Sequence, residues 1–139
     1  MASKLILILT LAIMALSTTS LRAADEPKAS SGDRFFELRT YHCFPGRLDA
    51  LNKRFREHTN ELFVKHGMQL VAYWIPTDKP DTLIYVLAYP SKEAREKSWK
   101  AFQSDPEWKK AAADSEKDGK IVQKADSQFM TPTDYSPMK

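Results

Sequence analysis

Cysteine is almost absent from this sequence: Cys43 stands alone among 139 residues. No disulfide can close within the chain, so a disulfide framework is excluded. A single free thiol on a strand is expected to be buried rather than reactive. Glycine is also scarce, at four residues. No glycine-rich phosphate loop and no dinucleotide-binding fingerprint can be built from them. The three histidines form no His-Glu-x-x-His pattern, and no two share the close, one-faced spacing of a zinc site, so neither a metal nor another cofactor is expected. No Gly-x-Ser-x-Gly elbow marks a nucleophilic serine. Basic blocks and aromatic-basic alternation are missing, which argues against nucleic acid.

Long apolar runs are missing too, with one exception. Leu5 to Leu16 is broken only by Thr10. A dozen residues fall short of the roughly 20 that a spanning helix needs. Lys4 precedes the run, and Leu21-Arg-Ala-Ala24 follows it. A basic start, an apolar centre and a small-residue end are the order of a secretory signal peptide. Residues 1–23 are read as that signal, cleaved after Ala23; an uncleaved membrane anchor is the alternative. The reading implies export to the periplasm or outside a bacterial cell, with no membrane attachment once the signal is removed. Loss of Lys4 and Arg22 lowers the formal net charge from +3 to +1, 19 basic against 18 acidic residues. Residues 24–33, with Pro27, Ser30, Ser31 and Gly32, read as a flexible leader. Residues 34–139 are the size of one domain.

Within that domain the apolar period alternates between two and about 3.6. Phe35 to Phe44 reads as a strand ended by Pro45-Gly46. Arg47 to His66 switches to helical spacing, with Leu48, Leu51, Phe55, Leu62 and Phe63 on one stripe. Gly67 is placed to end that helix in a left-handed conformation. Gln69 to Ile75 and Thr82 to Tyr89 are two further strands. Ser91 caps a helix carrying Trp99 and Phe102 inward. Asp105-Pro106 restarts it, aspartate as cap and proline in the first turn. Ile121 to Met130 is the last strand, and Thr131 to Tyr135 reads as a strap across a partner subunit, with a ligand lid as the alternative. The order is strand, helix, two strands, helix, strand. That is the α+β, ferredoxin-like βαββαβ arrangement: a four-stranded antiparallel sheet with helices on one face.

The third strand carries Leu83, Tyr85, Leu87 and Tyr89 on one side and Ile84, Val86 and Ala88 on the other. Both sides are apolar, yet the helices cover only one. A sheet face left in water reads polar. The second side therefore calls for a cover, and a second copy of the chain, sheet against sheet, supplies it.

Six segments together resemble the NIPSNAP family: Phe36-Glu-Leu-Arg-Thr-Tyr41, Pro45-Gly46 leading into the first helix, Lys65-His-Gly-Met68, Tyr73-Trp74, Leu87-Ala-Tyr-Pro90, and the Trp99 to Trp108 helix. The resemblance implies a dimeric α/β barrel fold. That wider fold group includes small cofactor-independent monooxygenases, haem-handling enzymes and muconolactone-type isomerases, and fold does not fix function.

The candidate ligand-binding residues are Arg39, Tyr41, His66 and Tyr85. On the first strand Glu37, Arg39, Tyr41 and Cys43 share a side, and Phe36, Leu38, Thr40 and His42 share the other. The second set suits the helix-covered side, which aims the first set into the chamber between two subunits. There Arg39 offers a planar fork for a carboxylate. The alternative is that Glu37 and Arg39 pair across the subunit interface and fix its register. His66 is either a general base or a favourable charge at a helix C-terminus. An exported homodimer binding a small molecule or a protein partner is the first functional expectation. An enzyme with Arg39 orienting substrate and Tyr41 or His66 moving a proton, or a scaffold dimer, are the others.

Overall fold

The computed structural model describes residues 34–139. The signal peptide and leader expected before them lie outside the described residues. Strand β1 (Phe35–Cys43) is followed by helix α1 (Leu48–Arg54), a π-helical segment (Phe55–Thr59) and α2 (Asn60–Lys65). Strands β2 (Gln69–Trp74) and β3 (Thr82–Tyr89) come next, then α3 (Lys92–Ser104), α4 (Pro106–Ser115) and β4 (Val122–Met130). The strands form one antiparallel sheet in the order β2-β3-β1-β4. This is the ferredoxin-like order expected from the sequence.

The local signals act as the chemistry requires. Ser91 accepts a hydrogen bond from the Ala94 amide at 3.1 Å and opens α3. Asp105 accepts from the Glu107 amide at 2.8 Å, with Pro106 in the first turn of α4. Those side chains satisfy donors that a helix start leaves free. Gly67 ends α2 at φ +79°, a conformation that costs other residues a steric clash.

One departure lies inside the first helical stretch. The spacing predicts a uniform helix from Arg47 to His66, but five residues, Phe55–Thr59, are wound as a π turn. The Thr59 hydroxyl donates to the Arg54 carbonyl at 3.2 Å and spans the wide turn. Such insertions favour functional positions.

Helices pack on one side of the sheet only. That side holds the main core, including Leu51, Phe55, Phe63, Tyr85, Leu87, Tyr89, Trp99 and Phe102. Each large apolar side chain so buried contributes about 1.5–3 kcal/mol. Cys43 is buried within this core. A second, smaller cluster lies on the open side: Phe36, Val86 and Ala88, with Leu38, Val71 and Met130 against it. β2 has an irregularity between Leu70 and Ala72, so Val71 is unpaired in the register. The bulge brings Val71 and Ala72 together beside Trp74, around a depression of about 460 Å³ on the open face.

These two clusters correct the expected orientation of β1. Glu37, Arg39 and Tyr41 pair in register with Leu87, Tyr85 and Leu83 on β3 and, with Cys43, face the helices. Phe36 and Leu38 face outward with Val86 and Ala88. The aromatic and aliphatic residues looked like the natural helix-facing set. The polar set instead goes inside, where long helix-borne side chains satisfy it. Within the single chain Tyr135 is 84% exposed. Thr131, Pro132 and Met138 nevertheless line the rim of the open-face depression, and the Lys139 carbonyl accepts from Arg34.

Candidate functional site

Glu37 is the centre of the polar set. Its side chain is completely buried on β1. Arg95, from α3, donates to both carboxylate oxygens, at 2.7 and 2.9 Å. Arg39 donates to Oε1 at 2.8 Å, the Trp99 indole to Oε2 at 2.9 Å, and the Tyr89 hydroxyl to Oε2 at 3.2 Å. Burial pushes the Glu37 carboxyl up, but the bonds from Arg95 and Arg39, the Arg39 charge and the Trp99 bond outweigh it and bring its pKa down to about 2. A carboxylate held this way is a fixed anion and a poor proton acceptor. The Glu37–Arg39 pair lies within one chain, not across subunits.

Arg39 is therefore anchored through one edge of its guanidinium. It also donates to the Ser127 hydroxyl at 2.9 Å and the Tyr41 hydroxyl at 3.2 Å. Its Cζ stacks 4.4 Å from the centre of the Trp99 ring. Arg39 and Tyr41 line a cavity of about 140 Å³ between the sheet and the helices. Arg54, Phe55, Thr59 and Phe63 reach it from α1, the π turn and α2. Trp99 and Phe102 wall it from α3, and Trp108 from α4; Gln103, an exposed residue, stands at its edge. The π turn thus presents Arg54, Phe55 and Thr59 to one space. Arg54 is buried, rests 5.2 Å from the Trp108 ring centre, and donates to Ser115 at 3.1 Å.

Two cations line this cavity and no carboxylate does. Glu37 is shared by Arg39 and Arg95, and Glu116 lies 3.6 Å from Arg54 at the surface. The lining itself is therefore positively charged. Among the described residues, the buried Nε groups of Arg39, Arg47 and Arg54 and the Tyr85 hydroxyl have no hydrogen-bond partner. Unpaired buried polar atoms are rare in folded proteins and call for an explanation.

The four residues expected to bind a ligand separate in the structure. Arg39 and Tyr41 line the cavity together. Tyr85 is behind them, its ring 5.3 Å from that of Tyr41. Burial, and then the neighbouring Tyr41, raise the Tyr85 hydroxyl well above its ordinary pKa, so it stays protonated as a donor. His66 is elsewhere. Its Nε2 lies 2.7 Å from Asp105, linking the end of α2 to the cap of α4. Arg54 and Thr59 are the cavity residues that sequence reasoning missed. The helical spacing put Arg54 beside the buried stripe, and a charged residue bordering that stripe was the available signal. Among the described residues no three His, Cys, Asp or Glu side chains converge as a metal site, and no helix is long and apolar enough to cross a membrane.

Fold and site together define a ferredoxin-like α+β domain with a cationic, aromatic cavity under its helices. The NIPSNAP family model matches residues 36–137, and the chain belongs to the NIPSNAP family. A NIPSNAP family protein of unknown function from Agrobacterium tumefaciens is 23% identical, with a TM-score of 0.68 over 76% of this chain and 94% of its own. An uncharacterised NIPSNAP-like domain protein from Burkholderia xenovorans is 15% identical, with a TM-score of 0.66 over 75% and 89%. A protein from Chloroflexus aurantiacus, described as a candidate antibiotic biosynthesis monooxygenase, is 18% identical, with a TM-score of 0.54 over 76% and 99%. These likenesses show a shared fold. No curated protein is significantly similar to the chain.

Proposed function

We propose that this chain is an exported, homodimeric NIPSNAP domain that binds a small molecule in the cavity beneath its helices. The cavity carries the reading: Arg39 and Arg54 line a partly open aromatic pocket whose lining holds no carboxylate. Ligand sites of this kind are apolar pockets with a few placed polar groups. Binding is favoured over chemistry because the buried carboxylate, Glu37, is saturated with donors. His66 is occupied by Asp105 and does not line the cavity.

Dimerisation rests on the other side of the sheet. Phe36, Leu38, Val71, Val86 and Met130 make an apolar patch there, and Trp74 remains 53% exposed beside it. A second copy meeting this face about a two-fold axis covers it and leaves the helix-side cavities free. Export rests on the basic-apolar-small order of residues 1–23.

Thermal melting against a broad panel of small organic molecules tests the binding reading. A compound at about 100 times its dissociation constant adds about 2.7 kcal/mol to stability. At least one compound is expected to raise the melting temperature of wild type and to lose most of that effect with Arg54→Gln. A panel in which nothing moves the transition contradicts the reading.

A further inference from the structure

We infer that the ligand of the helix-side cavity is a one-ring aromatic monocarboxylate, a benzoate-sized anion. The inference rests on the cavity being the binding site and adds the chemical class. Three observations carry it: size, walls and charge.

The volume is about 140 Å³. An apolar protein cavity of roughly 150 Å³ holds benzene, so the volume matches a single ring. The walls are Tyr41, Phe55, Phe63, Trp99, Phe102 and Trp108. Their rings already meet edge-on: Phe63 with Trp99 at 69°, and Trp99 with Phe102 at 90°. A further flat ring continues that packing, and aromatic pairs gain about 0.5–1.5 kcal/mol beyond their area. A branched aliphatic chain gains no such pairing.

Charge then selects among flat rings. Arg39 and Arg54 are the charged residues of the lining. Both are largely buried, and both lie on tryptophan faces that fix their planes. A carboxylate presents two oxygens to such forks, and charge-assisted bonds are about twice as strong as neutral ones. One carboxylate supplies the negative charge that the lining itself lacks. Neutral phenols and alcohols do not supply it. The Glu37 network holds Arg39 in place before any ligand arrives, so little side-chain ordering remains to be lost on binding.

Calorimetric titration with four probes tests the class: benzoate, benzyl alcohol, cyclohexanecarboxylate and butyrate. Benzoate is expected to bind tightest, with benzyl alcohol and butyrate each weaker by about tenfold or more. Arg54→Gln is expected to weaken benzoate by about tenfold while barely changing benzyl alcohol. Arg39→Gln is expected to do the same. Should Arg39→Gln fail to fold, Arg54→Gln and a fall in benzoate affinity at high salt carry the same information. Benzyl alcohol binding as tightly as benzoate overturns the proposed class, as does benzoate binding that ignores Arg54→Gln. A different compound from the broad panel binding at the cavity, with benzoate silent, also overturns the class but leaves the small-molecule reading standing. Silence from every compound tested overturns both.

Discussion

At the residue scale, Glu37 decides the most. It is a buried anion with five donors around it, and its pKa of about 2 lies below the ordinary 4.5. A depressed carboxyl stabilises the fold fully above pH 4.5, and that contribution is lost as pH falls toward 2. The shift corresponds to something on the order of 3 kcal/mol. Glu37→Gln is therefore expected to be destabilised at neutral pH, and the gap to wild type should shrink steadily as urea denaturation is repeated from pH 5 down to pH 2. A constant gap would mean that the charge of Glu37 does not matter. Breaking a buried pair leaves its partners uncompensated, so Arg95→Ala should cost at least as much as Glu37→Gln. Cys43 gives a second residue-scale prediction. Burial raises its thiol above the ordinary pKa, as does the nearby Asp81. Ellman's reagent should react slowly with native protein and quickly once urea unfolds it; rapid labelling of the native state contradicts the burial. The chemistry of Glu37 and Arg39 was legible as a polar pair on one side of β1. Their direction was not, because strand alternation says which residues share a side without saying which side the helices take.

At the element scale, the boundaries were the clearest part of the sequence. Ser91, Asp105-Pro106 and Gly67 are local signals whose physics is complete within a few residues, and each sits where it was expected. Ser91→Ala is expected to cost about 1 kcal/mol, and Ser91→Gly only a few tenths; urea midpoints of the two variants check the order. Gly67→Ala tests the end of α2. An added Cβ meets Ser98 Oγ at an ordinary 3.6 Å, so the cost is the left-handed backbone itself, about 1–2 kcal/mol. A neutral Gly67→Ala would show that the turn relaxes freely. The π turn at Phe55–Thr59 had no comparable signal. Phe55, Leu62 and Phe63 fit a regular helix equally well, so their spacing alone does not reveal the insertion. That hidden turn is also what brings Arg54 and Thr59 to the cavity, so the part of the site most dependent on it was the part least visible beforehand.

At the scale of the whole molecule, the sheet divides the work. Its helix side carries the cationic aromatic cavity; its open side carries the apolar patch proposed to meet a second copy. The two-sided apolar pattern of β3 made this division readable, since Leu87 and Val86 cannot both face the same helices. Val86→Glu, aimed at the open patch, is expected to shift sedimentation at micromolar concentration from dimer to monomer while the cavity still binds. A wild type that sediments as a monomer contradicts the pairing. The three tryptophans report on both sides at once: Trp99 and Trp108 line the cavity, and Trp74 borders the open-face depression. A two-dimensional nitrogen-15 spectrum of the indole groups is the most direct test. Added benzoate should move the Trp99 and Trp108 signals and leave Trp74 in place, whereas dilution should move Trp74 alone. Ligand shifts confined to Trp74, or shared equally by all three, would contradict this division of the sheet.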